Sequence, residues 1–547
     1  MIKTKPEWLK SKGYIHITPS LSAEKEWKTY EQKITSKKYI ENYAFFPLMH
    51  DSIRERKYKK YDENKHLNSN KSGRTHCFKI RKGRSKQTIK SRPIHYASHF
   101  DSLIYSYYGT ILNSKYLEII KEDVELDKSV IAYRKINLEN QDKGKSTIHF
   151  AKEAFDEIES RSHHKNVAAL TFDIENFFSG LDHKILYSKW CEVIQDNYLP
   201  KDHYKVFRAC TNFSYVLKDH LREKCYPGSR RSGFNEKKLH SIRKRKGYKC
   251  FFQDINELRE EIKNGNLKIY KNPFSKKLEN GKVVKIGIPQ GLPLSAILAN
   301  IYLLDFDKNI VKEVVRKYGG YYRRYSDDLL IICDFEVVDT IKQFVLSEIL
   351  KYGLKISAHK TEEFLFENLV FNKNSDKRLT SIKIENNQRR IAKPLIYLGF
   401  EYRGFSTSIK STNLSKYFRR LIYIVKRRSK RAAQNFTPHS KKAIYKHQIK
   451  KLYNAPLKNI DKDSTELKQK FRMRYKFVKN EIGEYDLEPV KMPVKKQSNY
   501  ISYLKRCDRI FNRNQDNSFL NQIRKRHNIL NHAIKKHLDK NFENNLL

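Results

Sequence analysis

Two aspartates stand side by side in "GGYYRRYSDDLLIICD" (319–334): Asp327 and Asp328, with an aromatic-basic run ahead of them and an apolar run behind. Adjacent carboxylates in an apolar setting repel each other and are costly to bury unpaired. Divalent cations neutralise such a pair. Mg²⁺ is the natural ion, because it takes few protein carboxylates and completes its shell with water and substrate phosphates. Consecutive side chains in a strand point to opposite faces, so the two aspartates serve one site only if the chain turns there. A third carboxylate is then needed. Asp173, at the end of the apolar "AALTFD" (168–173), is the strongest candidate. Two ions about 3.5–4 Å apart on such a set clamp the attacking and leaving oxygens of a phosphoryl transfer. An Asp-Asp pair in a turn is by itself ordinary, so its neighbours decide.

A strand has to deliver Asp173, and a strand–turn–strand has to deliver the pair. "NVAALTFDI" (166–174) reads as a short buried strand ending in its acid. "GYYRRYS" (320–326) and "LLIICD" (329–334) read as two strands joined at the aspartates. Before them, "LSAILANIYLLDFDKNIVKEVVRKYG" (294–319) is one long apolar helix pattern. After them, "VVDTIKQFVLSEILKYGLKI" (337–356) is a helix running into a strand-like end, and "LIYLGFEYRG" (395–404) is a hairpin. Upstream, "HCFKIRKGRSKQTIKSRPIHYA" (76–97) reads as another hairpin. "DSLIYSYYGTIL" (101–112) reads as a helix with Asp101 as its N-cap, and "FFSGLDHKILYSKWCEVI" (177–194) as a turn into a helix capped by Asp182. Residues 61–74 read as an exposed loop and 213–283 as a basic, poorly periodic insertion. From about residue 405 amphipathic helical patterns dominate, broken by basic clusters such as "KRRSKR" (426–431).

The 547 residues allow several domains. Hydrophobic residues at 39% and aromatics at 12% supply real cores, which argues against wholesale disorder. Lys and Arg total 112 against 61 Asp and Glu, a net charge of +51, and roughly half of it falls after residue 405. Such an excess calls for a polyanionic partner, nucleic acid first and an anionic membrane second. Lys-rich composition also follows from an AT-rich genome, so the Arg clusters carry this reading. The seven cysteines are scattered, odd in number and free of any CxxC pair, against a disulfide framework or a zinc ribbon. No apolar run approaches the ~18 residues of a membrane span, and "MIKTKPEWLKSKGY" has no signal-peptide core. The expectation is a soluble intracellular protein with no membrane contact. "DKGKST" (142–147) has the tail of a phosphate-binding loop without its leading Gly and is rejected as one.

Taken in order, "TFDIENFF" (171–178), "GIPQGLPLSAILANIYL" (287–303) and "YSDD" (325–328) resemble the palm motifs of reverse transcriptases. "GLKISAHKTE" (353–362) resembles the next palm motif and "YLGFEYRG" (397–404) the primer-grip hairpin. "KSRPIHYASHFDSLIYSYYGTIL" (90–112) and "SVIAYRKI" (129–136) look like the fingers blocks. The resemblance covers roughly 76–404, and the ordered set is far more specific than any member. It implies an α+β right-hand polymerase. An N-terminal extension (1–75) would precede fingers (76–165) and a palm (166–404) carrying the 213–283 insertion. An α-helical basic thumb and RNA-binding region (405–547) would follow.

The resemblance also implies roles. Asp173, Asp327 and Asp328 would bind two Mg²⁺ ions, with Mn²⁺ as the substitute, and the carbonyl of Ile174 would complete one shell. Phe178 would be a steric gate against the sugar 2′-hydroxyl, or else a plain core aromatic. Gln290 and Gly291 would pack on the incoming nucleotide and template. Lys360 would protonate the leaving pyrophosphate. Lys90, Arg92 and Arg134 would grip the triphosphate or the template backbone. Leu398 and Gly399 would hold the primer end. Glu175 departs from the basic residue that many bacterial relatives carry there, and the long spacing from Asp173 to Gln290 reflects the insertion.

Within reverse transcriptases, no ribonuclease H acidic set and no Cys-paired endonuclease module is seen. "KSKGYIHITPSLSAEKEW" (10–27), "RPIHYASHFDSLIYSYY" (92–108) and "AYRKI" (132–136) look most like the bacterial defence-associated, unknown-group enzymes. That likeness implies an RNA-templated DNA polymerase of the bacterial cytoplasm. It would act in antiphage defence on deoxynucleotides with a dedicated structured non-coding RNA. A group II intron-type maturase and an RNA-binding scaffold with a vestigial site stay open. So do a homo-oligomer or partner protein, and an RNA or a protein hydroxyl as primer.

Overall fold

The computed structural model describes residues 4–21, 26–58, 77–81, 84–139, 141–223, 226, 233–370, 377–386, 388–437, 443–444, 446–454, 471–493, 498–511 and 518–543. The expected loop at 61–74 lies outside them. A six-stranded antiparallel sheet holds the centre. Its order is Tyr321–Tyr325, Asp328–Asp334, Val167–Asp173, Glu362–Val370, Lys377–Glu385 and Gln388–Ile391.

Alternation along the central strands divides two cores. Ala168, Leu170 and Phe172 face one cluster together with Leu329, Ile331 and Cys333. Val167 and Ala169 face another with Leu330 and Ile332. Both faces are covered, which is why "VAAL" and "LLIIC" read as unbroken apolar runs. The first face is packed by helices His99–Lys121, His183–Ile194, Ser295–Tyr302 and Val338–Leu350. The second is packed by helix Thr147–Ser162 and, from far along the chain, helix Tyr500–Ile510 through Ile501, Leu504 and Cys507.

A second, four-stranded sheet runs Ile89–Tyr96, Leu48–Arg56, Ser214–Leu217, Ile269–Lys271. Leu48–Arg56 pairs antiparallel with the first and parallel with the third. Strand pairing therefore crosses the boundaries drawn at residues 75 and 213 from composition. The 213–283 stretch is also not structureless: Val216, Ile242, Phe251, Phe252, Leu258 and Leu267 build a small core of their own with Ile17 and Met49.

Three local expectations are corrected. The 294–319 pattern is not one helix: Ser295–Tyr302 ends at Leu303, Leu304–Ile310 follows, and Val311–Lys317 continues as a wider π-helix. Residues apolar all round give periodicity no face from which to read a bend. The helix expected at 101 starts at His99, capped by Ser98, whose Oγ accepts from the Asp101 N–H at 3.1 Å. Asp101 instead holds the N-terminal segment, accepting from Tyr43 Oη (2.7 Å) and the Phe46 N–H (3.0 Å). The region after 405 is not wholly helical, because Phe471–Lys479 and Tyr485–Pro493 form a two-stranded ribbon. "FRMRYKFVK" alternates with the period of a strand, a signal overridden by the surrounding helical patterns. The 395–404 hairpin forms as expected. Leu398 (φ 44°) and Gly399 (φ 92°) make the two-residue turn with positive φ at both positions that matches strand twist. Among the described residues no helix is long and apolar enough to cross a membrane.

Candidate active site

The strand ending in Asp173 lies antiparallel to the strand beginning at Asp328, and the register sets Asp173 directly opposite Asp328. Side chains so paired share a face, with Cβ atoms roughly 4.5–5.5 Å apart. Tyr325 pairs with Asp328, leaving Ser326 and Asp327 as the turn, with Ser326 at φ 64°. The Ile174 N–H donates to the Asp327 carbonyl at 3.0 Å and closes the ladder. The turn demanded by two consecutive aspartates is thus present, and it brings Asp327 to the strand end that carries Asp173 and Ile174.

The exit from Asp173 is pinned by the 355–357 segment. Ser357 N–H donates to the Asp173 carbonyl at 2.9 Å, and Glu175 N–H donates to the Lys355 carbonyl at 2.8 Å. That segment carries Lys360, whose ammonium donates to Asp173 Oδ1. Asp328 is exposed by surface area, yet the surrounding protein still takes away part of its solvation. This loss of solvation first, and Asp327 and Asp173 second, push its carboxyl up to about 6; Lys360 and Lys410 pull the other way.

Among the described residues no three His, Cys, Asp or Glu side chains are gathered into a ready-made metal cage. The donor set nonetheless suits Mg²⁺ in kind: three neighbouring carboxylates, one driven toward protonation by lost solvation and then by the other two, are what a divalent cation relieves. Lys360 is the counter-charge on Asp173 in this arrangement and has to leave that oxygen before it can ligate.

A buried network that sequence reading missed sets the turn from below. Arg324 is fully buried and forms a fork with the equally buried Asp307, Nε to Oδ1 at 2.8 Å and Nη2 to Oδ2 at 2.6 Å. Its Nη1 donates to Asn300 Oδ1 (3.1 Å) and to the Ser326 carbonyl (3.3 Å). Tyr322 Oη donates to Asp307 Oδ1 at 2.7 Å. From above, Tyr133 Oη donates to Ser326 Oγ at 2.8 Å. The residue before the aspartate pair is therefore held on both sides.

The nucleotide-side candidates divide. The loop Gly287–Gly291 is stitched to the segment after Asp173, with Gly287 N–H to the Leu181 carbonyl (2.7 Å) and Ile288 N–H to the Phe178 carbonyl (2.8 Å). His95 N–H donates to the Gln290 carbonyl at 2.8 Å. Gly291 sits at φ 116°, and a Cβ there would lie 2.8 Å from the His95 carbonyl oxygen, so only glycine fits. Phe178 is half-buried, against Phe177 at 5.6 Å between centroids. Phe178, Gln290 and Gly291 thus come together. Lys90, Arg92 and Ile94 share one face of their strand, and Ile94 reaches Gly291. Burial lowers the Lys90 pKa, as do the charges of Arg92 and Lys360, with Asp173 opposing, so Lys90 lies within electrostatic reach of Asp173. Arg92 Nη1 donates to Glu55 Oε2 at 3.0 Å.

Arg134 does not belong to this set. Its side chain is only 5% exposed and is taken up by the Asp127 side chain and carbonyl, so it holds a helix end and cannot grip a triphosphate. Leu398 and Gly399 form the hairpin turn, where the Gly399 carbonyl accepts from Lys410 N–H at 3.0 Å. Lys410, which acts on Asp328, is a further basic residue that no motif flagged.

Residues 237–402, 166 of 547 positions, match the family model described as Reverse transcriptase (RNA-dependent DNA polymerase). The match holds Gln290, Asp327, Asp328 and Lys360; Asp173 and Phe178 lie before it and are joined to it by the central sheet. No curated protein matches the sequence. Among solved structures, apo telomerase from Candida tropicalis truncated from its C-terminal domain is similar at 11% identity and TM-score 0.33, covering 60% of this chain and 53% of that one. Telomerase from Candida albicans in complex with a fragment of telomeric RNA is similar at 15% identity and TM-score 0.30, covering 74% and 54%. The chain spans about half the length of each. The family match marks residues 237–402 as a reverse transcriptase domain, of the kind described as an RNA-dependent DNA polymerase.

Proposed function

We propose that the Asp173–Asp327–Asp328 centre joins a primer 3′-hydroxyl to the α-phosphate of a deoxynucleoside triphosphate on an RNA template. One observation carries this reading: Asp173 faces Asp328 across an antiparallel pair, with Asp327 in the turn beside them. Two Mg²⁺ ions, bound by these carboxylates and the Ile174 carbonyl, would supply charge neutralisation and Lewis-acid polarisation. The protein's own groups do the positioning. Lys90 and Arg92 present cations on the face that meets Gly291, suited to triphosphate oxygens. Phe178 stands where a ring excludes a 2′-hydroxyl. Gln290 and Gly291 flank the base and template. Leu398, Gly399 and Lys410 lie where a primer end would rest. Lys360 Nζ, already on Asp173, is the proton source for the leaving pyrophosphate.

The wider setting we propose is bacterial antiphage defence in the cytoplasm, with a dedicated structured RNA as template or scaffold. The likeness of residues 10–27, 92–108 and 132–136 to defence-associated reverse transcriptases supports it. So does the charge, since residues 405–547 hold 35 Lys and Arg against 11 Asp and Glu, +24 of the chain's +51. Primer extension on an RNA template with the Asp327→Asn variant tests the catalytic reading. Extension should vanish while RNA affinity stays near the parent's; undiminished extension would overturn the assignment.

A further inference from the structure

The strand pair Leu48–Arg56/Ile89–Tyr96 carries an acid where the proposed chemistry calls for none. Its register sets Glu55 opposite Lys90, Ile53 opposite Arg92 and Asp51 opposite Ile94, so these side chains share one face. That face meets Gly291 through Ile94 and holds the two cations suited to triphosphate oxygens. Asp51 is taken by the Lys218 ammonium at 2.7 Å. Glu55 bridges two other cations. Its Oε2 accepts from Arg92 Nη1 at 3.0 Å, and its Oε1 accepts from the Lys416 ammonium. Lys416 first and Arg92 second hold the carboxyl down to about 2, against burial, so it is ionised at any working pH. A fixed negative charge on this face repels a polyphosphate.

Lys416 comes from helix Ser411–Gln434, which starts at the aspartates. Its N-cap is Lys410, which acts on Asp328. Lys416 lies about 9 Å further along the axis. Arg419, three residues on and on the same side of the helix, stands 4.2 Å from the Tyr58 ring centroid. The helix is thus seated at two points on the end of the strand that carries Glu55. Lys90 reaches Asp173 and Lys410 reaches Asp328, so strand pair and helix both border the aspartates, and Glu55 joins the two.

Magnitudes decide what this bridge is for. Glu55 is 24% exposed, Arg92 40% and Lys416 55%. Ion pairs this open are worth a factor of only about 1.4 to 5 each, too little to make the bridge a stabilising device. A charge-assisted hydrogen bond to a bound phosphate is worth roughly 10- to 150-fold, so phosphate oxygens win both cations from the carboxylate. The face of Arg92 abuts the Gly287–Gly291 loop, which is tied to Phe178, so the anion in reach of both cations is the nucleotide's.

We propose that Glu55 is a placeholder for the triphosphate and that Lys416 is a further triphosphate-binding residue. The carboxylate pairs with Arg92 and Lys416 until triphosphate oxygens take its place. The inference rests on the polymerase reading of the aspartate centre and adds to it a cation from beyond the family match.

The test uses the full chain bound to an RNA template and a DNA primer ended by a dideoxynucleotide, with Mg²⁺. Matched dTTP is titrated calorimetrically, so affinity is read without chemistry. The Kd for dTTP should fall roughly 2- to 30-fold in Glu55→Gln, which frees both cations from competition. It should rise roughly 10- to 150-fold in Lys416→Met. Affinity for the primer–template duplex and the melting temperature should stay near the parent's in both. A purely structural Glu55 gives the opposite sign, weaker dTTP binding in Glu55→Gln. That result, an unchanged Kd in either variant, or a loss in Lys416→Met that appears in duplex affinity instead would overturn the proposal alone. A parent complex that binds no dTTP would overturn the polymerase reading, and the proposal with it.

Discussion

Arg324 and Asp307 form a two-pronged ion pair with no exposure on either side chain, and the same guanidinium reaches the carbonyl of Ser326, the residue before the Asp327–Asp328 pair. Burial works against a charge, but Asp307 outweighs it and holds Arg324 ionised above its ordinary range. The pair therefore ties the bent helix at Leu304–Ile310 to the turn that presents Asp327.

Removing one partner leaves the other charged and buried, at a cost of about 3–5 kcal/mol. Asp307→Ala should lower the urea midpoint accordingly and abolish extension. A double change, Arg324→Met with Asp307→Leu, should recover much of the stability, since apolar groups of similar volume replace a buried pair well. It should not recover the rate, because the Ser326 carbonyl and Tyr322 hydroxyl lose their partners. A double variant with parental single-nucleotide incorporation would show that the pair is scaffold only.

Phe178 yields a prediction about substrate choice. Its carbonyl accepts from Ile288 N–H, so its backbone is tied to the Gly287–Gly291 loop. A steric contact of this kind is worth about 1–3 kcal/mol in discrimination, or roughly 10- to 200-fold. Phe178→Val should raise ribonucleotide incorporation relative to deoxynucleotide by that order, measured as the ratio of kcat/KM values with matched triphosphates. An unchanged ratio removes the gate role and leaves Phe178 as a core aromatic.

What the sequence exposed and what it hid follow one physical line. Asp173, Asp327 and Asp328 were legible because each is a charged break at the end of an apolar run, a local contrast. Leu398–Gly399 was legible as a turn between two short alternating strands. Arg324 and Asp307 were not: in "YYRRY" and "LLDFDKN" each looks like a surface charge, and only pairing across the fold makes them interior. Arg134 failed in the opposite direction, since nothing in "AYRKI" tells that Asp127 takes its guanidinium. The 213–283 stretch looked inserted because its strands are three or four residues long, too short for a period, although they extend a sheet begun at Leu48.

The histidines near the N-terminus predict an acid limit. Burial lowers His16 to about 3, His95 to about 3 and His99 to about 4. His16 is also bonded to the Tyr96 carbonyl (3.1 Å) and faces His99, which stacks on Tyr14 at 5.0 Å; His95 faces His50 at 3.3 Å. The folded pKa values lie below the unfolded value near 6.5, so the unfolded chain binds more protons in between. Stability is therefore full above about 6.5 and is lost as pH falls toward 4, at up to about 1.4 kcal/mol per pH unit for each histidine. The loss should reach function, because His95 N–H holds the Gln290 carbonyl and its strand carries Lys90 and Arg92. Melting temperature measured from pH 7.5 to 4.5 should fall in the parent and fall less steeply in His99→Phe, whose ring can keep the stack on Tyr14 without taking a proton. Identical slopes in the two proteins would exclude His99 from the acid limit, and a flat parental profile would exclude the whole cluster.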